Sequence, residues 1–455
     1  MNLSPAEIAA ALGAEVLVEG PPESPRRATI NSSDAGPGDL FFGLRGEKVD
    51  GSDFALDAVV AGAWGVVIGQ NQAITISSPP GEEVVRSWVF AVEDPLAAMH
   101  SLARAWRRAL GARVVGVTGS VGKTSVKDIA KALLPGRVHA NPQNFNTEIG
   151  LPLTLLEAPG DTDVLVLEMA MRGRGQIAEL AAIAEPEVAV ITNVGPVHVE
   201  LLGSIEAIAA AKAEILTDLP PGGTAVAPVE AGVLEPHLTP IARQLRFGPG
   251  GDVGATEVRV TEGVTEATVK TPGGSQRFHF PFTEAHNLTN ALAAIAAGVA
   301  LGADLAGMAD RAASIGFSRF RGERLDLPGG IVLVNDCYNA NPVSMRAALD
   351  HLASLGAERA VAVLGEMGEL GPGSAGYHCE VGEHARAAEI DWVIGVGAPA
   401  RDYDPDELVA DPGEAAELLA ARLEPGDVVL VKGSRSAGLE AVAEQLPDLL
   451  EAGDG

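Results

Sequence analysis

Between residues 113 and 216 the apolar positions follow two alternating rhythms. Uninterrupted β-branched runs, "RVVGVTG", "DVLVLEMA" and "EVAVITNVG", read as strands covered on both faces, while "TSVKDIAKALL" and "SIEAIAAAKAEIL" repeat their apolar residues at helical spacing. Residues 250–282 break that pattern: short alternating segments separated by glycines predict an antiparallel excursion, followed by the long helix "HNLTNALAAIAAGVALG". From about residue 319 the alternation restarts through "GIVLVNDCYN", "VSMRAALDHLASL", "RAVAVLGEM", "HCEVGEHARAA", "DWVIGVG", "AAELLAARL", "GDVVLVKGS" and "GLEAVAEQL", which predicts a doubly wound parallel sheet. Upstream, the turn-rich "SSDAGPGDLFFGLRGEKVDGSDF" and the helix-into-strand run "AVVAGAWGVVIG" make a small α/β unit, and the helical "AAMHSLARAWRRALGA" leads out of it. The expected fold class is α/β in three domains, at 1–104, 105–318 and 319–455 of the 455 residues.

Charge narrows the possible partners. With 32 basic and 61 acidic residues the chain carries a formal charge of −29, so nucleic acid or an anionic membrane would have to bind against the overall field. An anionic substrate must instead meet locally placed cations, helix N-termini or metal. The two cysteines, Cys337 and Cys379, are far apart and lack metal-ligand spacing, which suits a reducing compartment. The N-terminus has no basic and apolar signal pattern, and the apolar run from Ala291 to Ala303 is too short to span a bilayer. A cytoplasmic protein without membrane insertion is expected.

The stretch "GVTGSVGKTS", residues 116–125, almost spells a phosphate loop, but Val117 stands where the usual spacing needs its first glycine. Its position between a strand run and a helix run is what such a loop requires. Gly119 and Gly122 let backbone N–H groups approach phosphate, Lys123 can reach the terminal phosphates, and Thr124 can hold Mg²⁺. Glu168 ends the strand "DVLVLE" and His198 follows "EVAVITNVG", so both fall at the strand carboxyl ends where open sheets bind ligands. On its own, Lys212 in "AIAAAKAEI" reads as a surface lysine. Asn287 and Asn290 share a helix face and could read the edge of a base, with a helix cap at Asn287 as the competing explanation. "NDCYNANP" has turn and cap chemistry, and "KGSR", residues 432–435, places two cations beside a Gly-Ser turn that suits an anion.

Taken in order, "TGSVGKTS", "NFNTEIGLPLTLL", "EMAMRGRGQI", "ITNVGPVHVELLGS", "AAAKAEI", "HNLTNALAA", "NDCYNANPVSM", "LGEMGELG" and "VKGSR" resemble the Mur ligases, whose relatives the folylpolyglutamate synthases share the short loop. The resemblance implies an N-terminal domain for the uridine diphosphate end of a substrate, a central ATPase and a Rossmann-like C-terminal domain. "YNANPVSM" and "LGEMGELG" point to the branch that joins D-alanyl-D-alanine to UDP-N-acetylmuramoyl-tripeptide through an acyl phosphate. Another amide ligase of the superfamily, or a silent nucleotide-binding subunit, is the alternative. The resemblance further implies ATP held by Gly119, Ser120, Val121, Gly122, Lys123, Thr124 and Ser125, with Asn287 and Asn290 at adenine and Asp336 at the ribose. Two Mg²⁺ sites would use Thr124, Glu168, His198 and a carbamylated Lys212. Arg324 is expected at the γ-phosphate in preference to Arg321, because in "RLD" an apolar and then an acidic residue follow it. Substrate contacts fall to Ser32, Asn146, Thr147, Tyr338, Asn339, Asn341, Lys432 and Ser434, with Ser33 standing where the family usually carries arginine. A monomer is expected.

Overall fold

The structure is a computed structural model that describes all residues except 72–86, Gln143, His198, Glu262 and 454–455. The N-terminal sheet has five strands in the order Glu15–Val18, Trp88–Val92, Gly65–Gly69, Asp39–Phe42 and Arg27–Thr29; only the first runs antiparallel. It feeds directly into the helix Pro95–Leu110. Asp94 caps that helix through Leu96 N at 2.8 Å, Pro95 presets its first turn, and Gly111 ends it at φ 63°. Its buried face, with Met99, Leu102 and Trp106, shares one core with Leu151 and Leu155 of the helix Gly150–Glu157. The residue-104 boundary thus falls inside a helix that packs on both neighbours.

The central sheet is wholly parallel, in the order Gln244–Phe247, Thr224–Pro228, Val188–Ile191, Arg113–Thr118, Val164–Glu168 and Val138–Ala140. Its inner strands are mostly apolar because separate cores cover the two faces, one reaching back to the N-terminal sheet and the other formed with the helices Lys123–Leu133 and Ala285–Ala300. The antiparallel excursion is a three-stranded sheet, Gly254–Thr261, Val264–Thr271 and Gly274–Phe280, anchored by stacked Phe278, Phe280 and Phe282 with centroids 5.2–5.3 Å apart.

The C-terminal sheet runs Glu323–Asp326, Val332–Asn335, Val428–Lys432, Ala360–Leu364, Trp392–Val396 and Glu407–Val409. The four expected strands form its parallel centre, and two short edge strands extend it, the first of them antiparallel. Among the described residues no helix is long and apolar enough to cross a membrane.

Candidate active site

The phosphate loop leaves the strand Arg113–Thr118, which lies between Val188–Ile191 and Val164–Glu168, and enters the helix Lys123–Leu133. Both of its glycines are required. A Cβ on Gly119 (φ 149°) would lie 1.8 Å from Thr192 Oγ1, and one on Gly122 (φ 82°) 2.4 Å from Asn290 Oδ1. The end of the neighbouring strand shapes the loop: Val121 N donates to Asn193 Oδ1 at 2.9 Å, Gly195 N to Ser120 Oγ at 2.9 Å, and Thr192 Oγ1 to Val121 O at 2.5 Å. Lys123 Nζ curls over the loop to donate to Gly119 O at 2.9 Å, and burial pulls its pKa below the usual lysine value.

Glu168, 2% exposed, accepts from Thr124 Oγ1 at 2.7 Å and from Asn146 Nδ2 at 2.8 Å. Its backbone is clamped by buried Asn141, which accepts from Glu168 N at 2.8 Å and donates to Glu168 O at 2.9 Å. A hydroxyl and a carboxylate this close offer hard oxygens suited to Mg²⁺, which takes one or two protein ligands and fills the remainder with phosphate and water. Lys212, on the helix Ile205–Ala213, is only 2% exposed and so is not a solvated surface lysine. Burial first, then the charge of Lys123, holds its ammonium well below the ordinary lysine pKa. His198 lies outside the described residues.

Two cavities meet at this loop. The smaller, about 260 Å³, runs from Gly122 and Ser125 past Asn287 and Asn290 to Asp336 and His351. Asn287 sits in the first helical turn, with Glu284 at the cap position, so the capping explanation does not hold; its amide instead links Glu284 Oε2 (3.3 Å) to Asn290 (3.2 Å). Across the cleft Lys432 Nζ donates to Asp336 Oδ2 at 2.5 Å and to Asn339 O at 3.2 Å, and His351 Nε2 lies 3.8 Å from Glu284 Oε1. Burial lowers the pKa of both His286 and His351, against the opposing pull of Glu284 and Asp336.

The larger cavity, about 600 Å³, shares Ser120, Lys123, Thr124, Arg321, Asn339 and Asn341 with the smaller one and extends to Tyr338, Ser434 and Arg435. Ser434 Oγ accepts from Gly368 N at 2.8 Å, and Asn341 caps the helix Pro342–Ser354. The two candidate arginines lie in different surroundings. Arg324 lies on the antiparallel edge strand, 59% exposed, and pairs with Asp326 at 2.8 Å outside both cavities. Arg321 lines both, its guanidinium 4.1 Å from the Tyr338 ring centroid and its Nε buried without a partner. Thr147 is exposed and Ser32 opens a short 3₁₀ turn; neither lines either of these two cavities.

Comparison with known proteins agrees with this architecture along the whole chain. Residues 27–107 match the Mur ligase family catalytic domain, 117–298 the Mur ligase middle domain, and 320–435 the Mur ligase glutamate ligase domain. The UDP-N-acetylmuramoyl-tripeptide–D-alanyl-D-alanine ligase of Synechocystis sp. is 38% identical over 90% of this chain and 89% of its own length. The chain belongs to the Mur ligase family. Among solved structures, this Mur ligase resembles MurF from Acinetobacter baumannii (TM-score 0.88, 27% identity, 98% of this chain and 99% of that one). It also resembles MurF from Thermotoga maritima in complex with ADP (TM-score 0.83, 31% identity, 94% and 98%).

Sequence reasoning overlooked several residues of this Mur ligase's cleft. Asn141 is hidden in the amide-rich "NPQNFN", where its role depends on pairing with a strand 27 residues away. Glu284, His286 and His351 come together only because helices distant in the chain face each other; the stripe Val343, Ala347, His351 on one helix was the available signal.

Proposed function

We propose that this Mur ligase uses ATP to join D-alanyl-D-alanine to the peptide carboxylate of UDP-N-acetylmuramoyl-tripeptide, a step of peptidoglycan precursor synthesis. The observation that carries this is the junction of the two cavities at Ser120, Lys123 and Thr124. A nucleotide lying in the smaller cavity would deliver its γ-phosphate to the larger one, where a carboxylate and an amine can meet.

A carboxylate resists amine attack because its oxide leaves poorly. In the proposed sequence a carboxylate oxygen attacks the γ-phosphorus, the bond to the β-phosphate oxygen breaks, and ADP and an acyl phosphate form. The dipeptide nitrogen then adds to the carbonyl carbon; the tetrahedral intermediate expels phosphate, and the nitrogen sheds a proton. Positioning and charge neutralisation supply most of the acceleration in such transfers. Lys123 and Arg321 are the cations we assign to the transferring phosphoryl group. Asn287, Asn290 and Asp336 are assigned to the nucleoside, and Tyr338, Asn339, Asn341 and Ser434, which line the larger cavity, to the peptide together with Asn146 and Lys432. The N-terminal domain, with Ser32, takes the uridine end.

Thr124 and Glu168 would hold one Mg²⁺, and a carbamylated Lys212 with His198 a second. Bound metal offsets repulsion between the anionic attacker and the triphosphate. The depressed pKa of Lys212 supports carbamylation, which consumes a neutral amine. We place the enzyme in the cytoplasm as a monomer. The test is phosphate release from ATP and Mg²⁺ with the UDP-linked tripeptide: release must depend on D-alanyl-D-alanine, and none with all four components present would refute the assignment.

A further inference from the structure

The larger cavity is cationic in an acidic protein. Lys123, Arg172, Arg319, Arg321 and Arg435 line it against the single carboxylate of Glu369, in a chain of formal charge −29. Three of these cations have partners or tasks: Arg172 lies 3.6 Å from Glu369, Lys123 covers the phosphate loop, and Arg321 stacks on Tyr338. The other two, Arg319 and Arg435, both lie against the ring of Phe320. Their guanidinium carbons lie 4.9 Å and 5.3 Å from the Phe320 centroid. Arg435 keeps one contact, to Glu440 at 3.1 Å; Arg319 makes no hydrogen bond or ion pair among the described residues.

Phe320 is held in an unfavourable backbone conformation. Its φ is +64°, a region that bulky residues seldom enter. Its carbonyl accepts from Tyr338 N at 3.1 Å and its N–H points to Glu323 Oε2 at 3.4 Å, so the loop after the strand Val332–Asn335 and the edge strand fix it in place. Strain of this kind persists where the surroundings over-determine it, often at ligand clamps. The ring puts an apolar surface beside two forks of N–H donors, a combination that matches an alkyl group next to a carboxylate.

We infer that Arg319 and Arg435, both packed against Phe320, form the subsite for the terminal carboxylate of the incoming dipeptide. This rests on the ligase reading above and adds the specificity determinant for its second substrate. A dipeptide extends about 7 Å, and Lys123 lines the same cavity as the two arginines. The subsite explains why a dipeptide with a free C-terminus is taken: a neutral terminus leaves Arg319 unanswered and Arg435 with Glu440 alone.

The test compares D-alanyl-D-alanine with its C-terminal carboxamide in the wild-type protein and in Arg319→Gln and Arg435→Gln. Wild-type turnover of the dipeptide is measured first, so a failure of the ligase reading shows there and a failure of the subsite only in the variants. The wild type is expected to show a KM for the carboxamide about 10- to 100-fold above that for the acid, the loss of one or two charge-assisted hydrogen bonds. In each variant the KM for the acid rises toward that of the carboxamide, while the KM values for ATP and the UDP-linked tripeptide stay unchanged. An acid-to-carboxamide ratio that survives in both variants would overturn the subsite, as would a KM increase confined to the UDP-linked tripeptide.

Discussion

Thr124 Oγ1 donates to Glu168 Oε2 across 2.7 Å, so the hydroxyl opening the phosphate-loop helix and the carboxylate ending the adjacent strand converge before any nucleotide is considered. Register produces this meeting: Val117 pairs with Glu168, and the loop starts two residues later. Glu168→Gln keeps the shape and removes the charge. Its kcat should fall by about 10²- to 10³-fold, as when one preorganised electrostatic group is lost. Phosphate release followed across a Mg²⁺ titration checks this.

Asn141 grips the backbone of Glu168 on both its N–H and C=O sides and lines neither cavity. It is a positioning residue. Asn141→Ala should raise the Mg²⁺ concentration needed for half-maximal turnover by about 10- to 100-fold, the usual cost of losing an outer-shell support. Turnover at saturating metal should recover substantially, which distinguishes this from a folding defect.

The two arginines of "RFRGERLD" should separate cleanly. Arg321 lines both cavities with an unpartnered buried Nε, whereas Arg324 pairs with Asp326 on the exposed edge strand. Arg321→Gln should reduce kcat by about 100-fold or more. Arg324→Gln should change it far less, since an exposed ion pair contributes only about 0–1 kcal/mol. Single-turnover phosphate release from both variants decides between them.

Lys212 is buried with its ammonium disfavoured, an arrangement that opposes folding unless the nitrogen is modified or neutral. Lys212→Ala should abolish most turnover, with partial rescue by acetate or another small carboxylate standing in for a carbamate. Lys212→Met should be equally inactive yet melt at a higher temperature than the wild type. Calorimetry alongside the rescue assay reads both outcomes.

His286 and His351 give a pH dependence whose sign follows from burial. Both imidazoles titrate below their ordinary value in the folded protein, so between that lowered pKa and about 6.5 the unfolded chain binds more protons. Stability therefore rises with pH through this window and levels above it, by at most about 1.4 kcal/mol per pH unit for each proton. His351→Gln should reduce the slope. Urea midpoints from pH 5 to 8 for both proteins measure the difference.

Much of the molecule was legible in the chain because its signals are local. The glycine loop, the strand-end Glu168 and the antiparallel excursion follow from neighbouring residues and short periods. The edge strands Glu323–Asp326 and Glu407–Val409 were not legible, since three or four residues carry no period and are defined by the partner they pair with. The same limit hid the surroundings of Arg324 and Arg321: sequence context ranks side chains by neighbours, but the antiparallel pairing of Arg324 with Val334 decides where that strand lies. Lys212 looked solvated because its helix is rich in alanine, and only packing against the central sheet's core buries it.

The central claim is that the two joined cavities let ATP energise a carboxylate and let an amine capture it. Isotope transfer tests this most directly. UDP-linked tripeptide carrying ¹⁸O in its terminal carboxylate is turned over with ATP, Mg²⁺ and D-alanyl-D-alanine, and the released phosphate is analysed by mass spectrometry. Each phosphate should carry one oxygen from the carboxylate; phosphate free of label, released at the rate of peptide bond formation, would contradict the account.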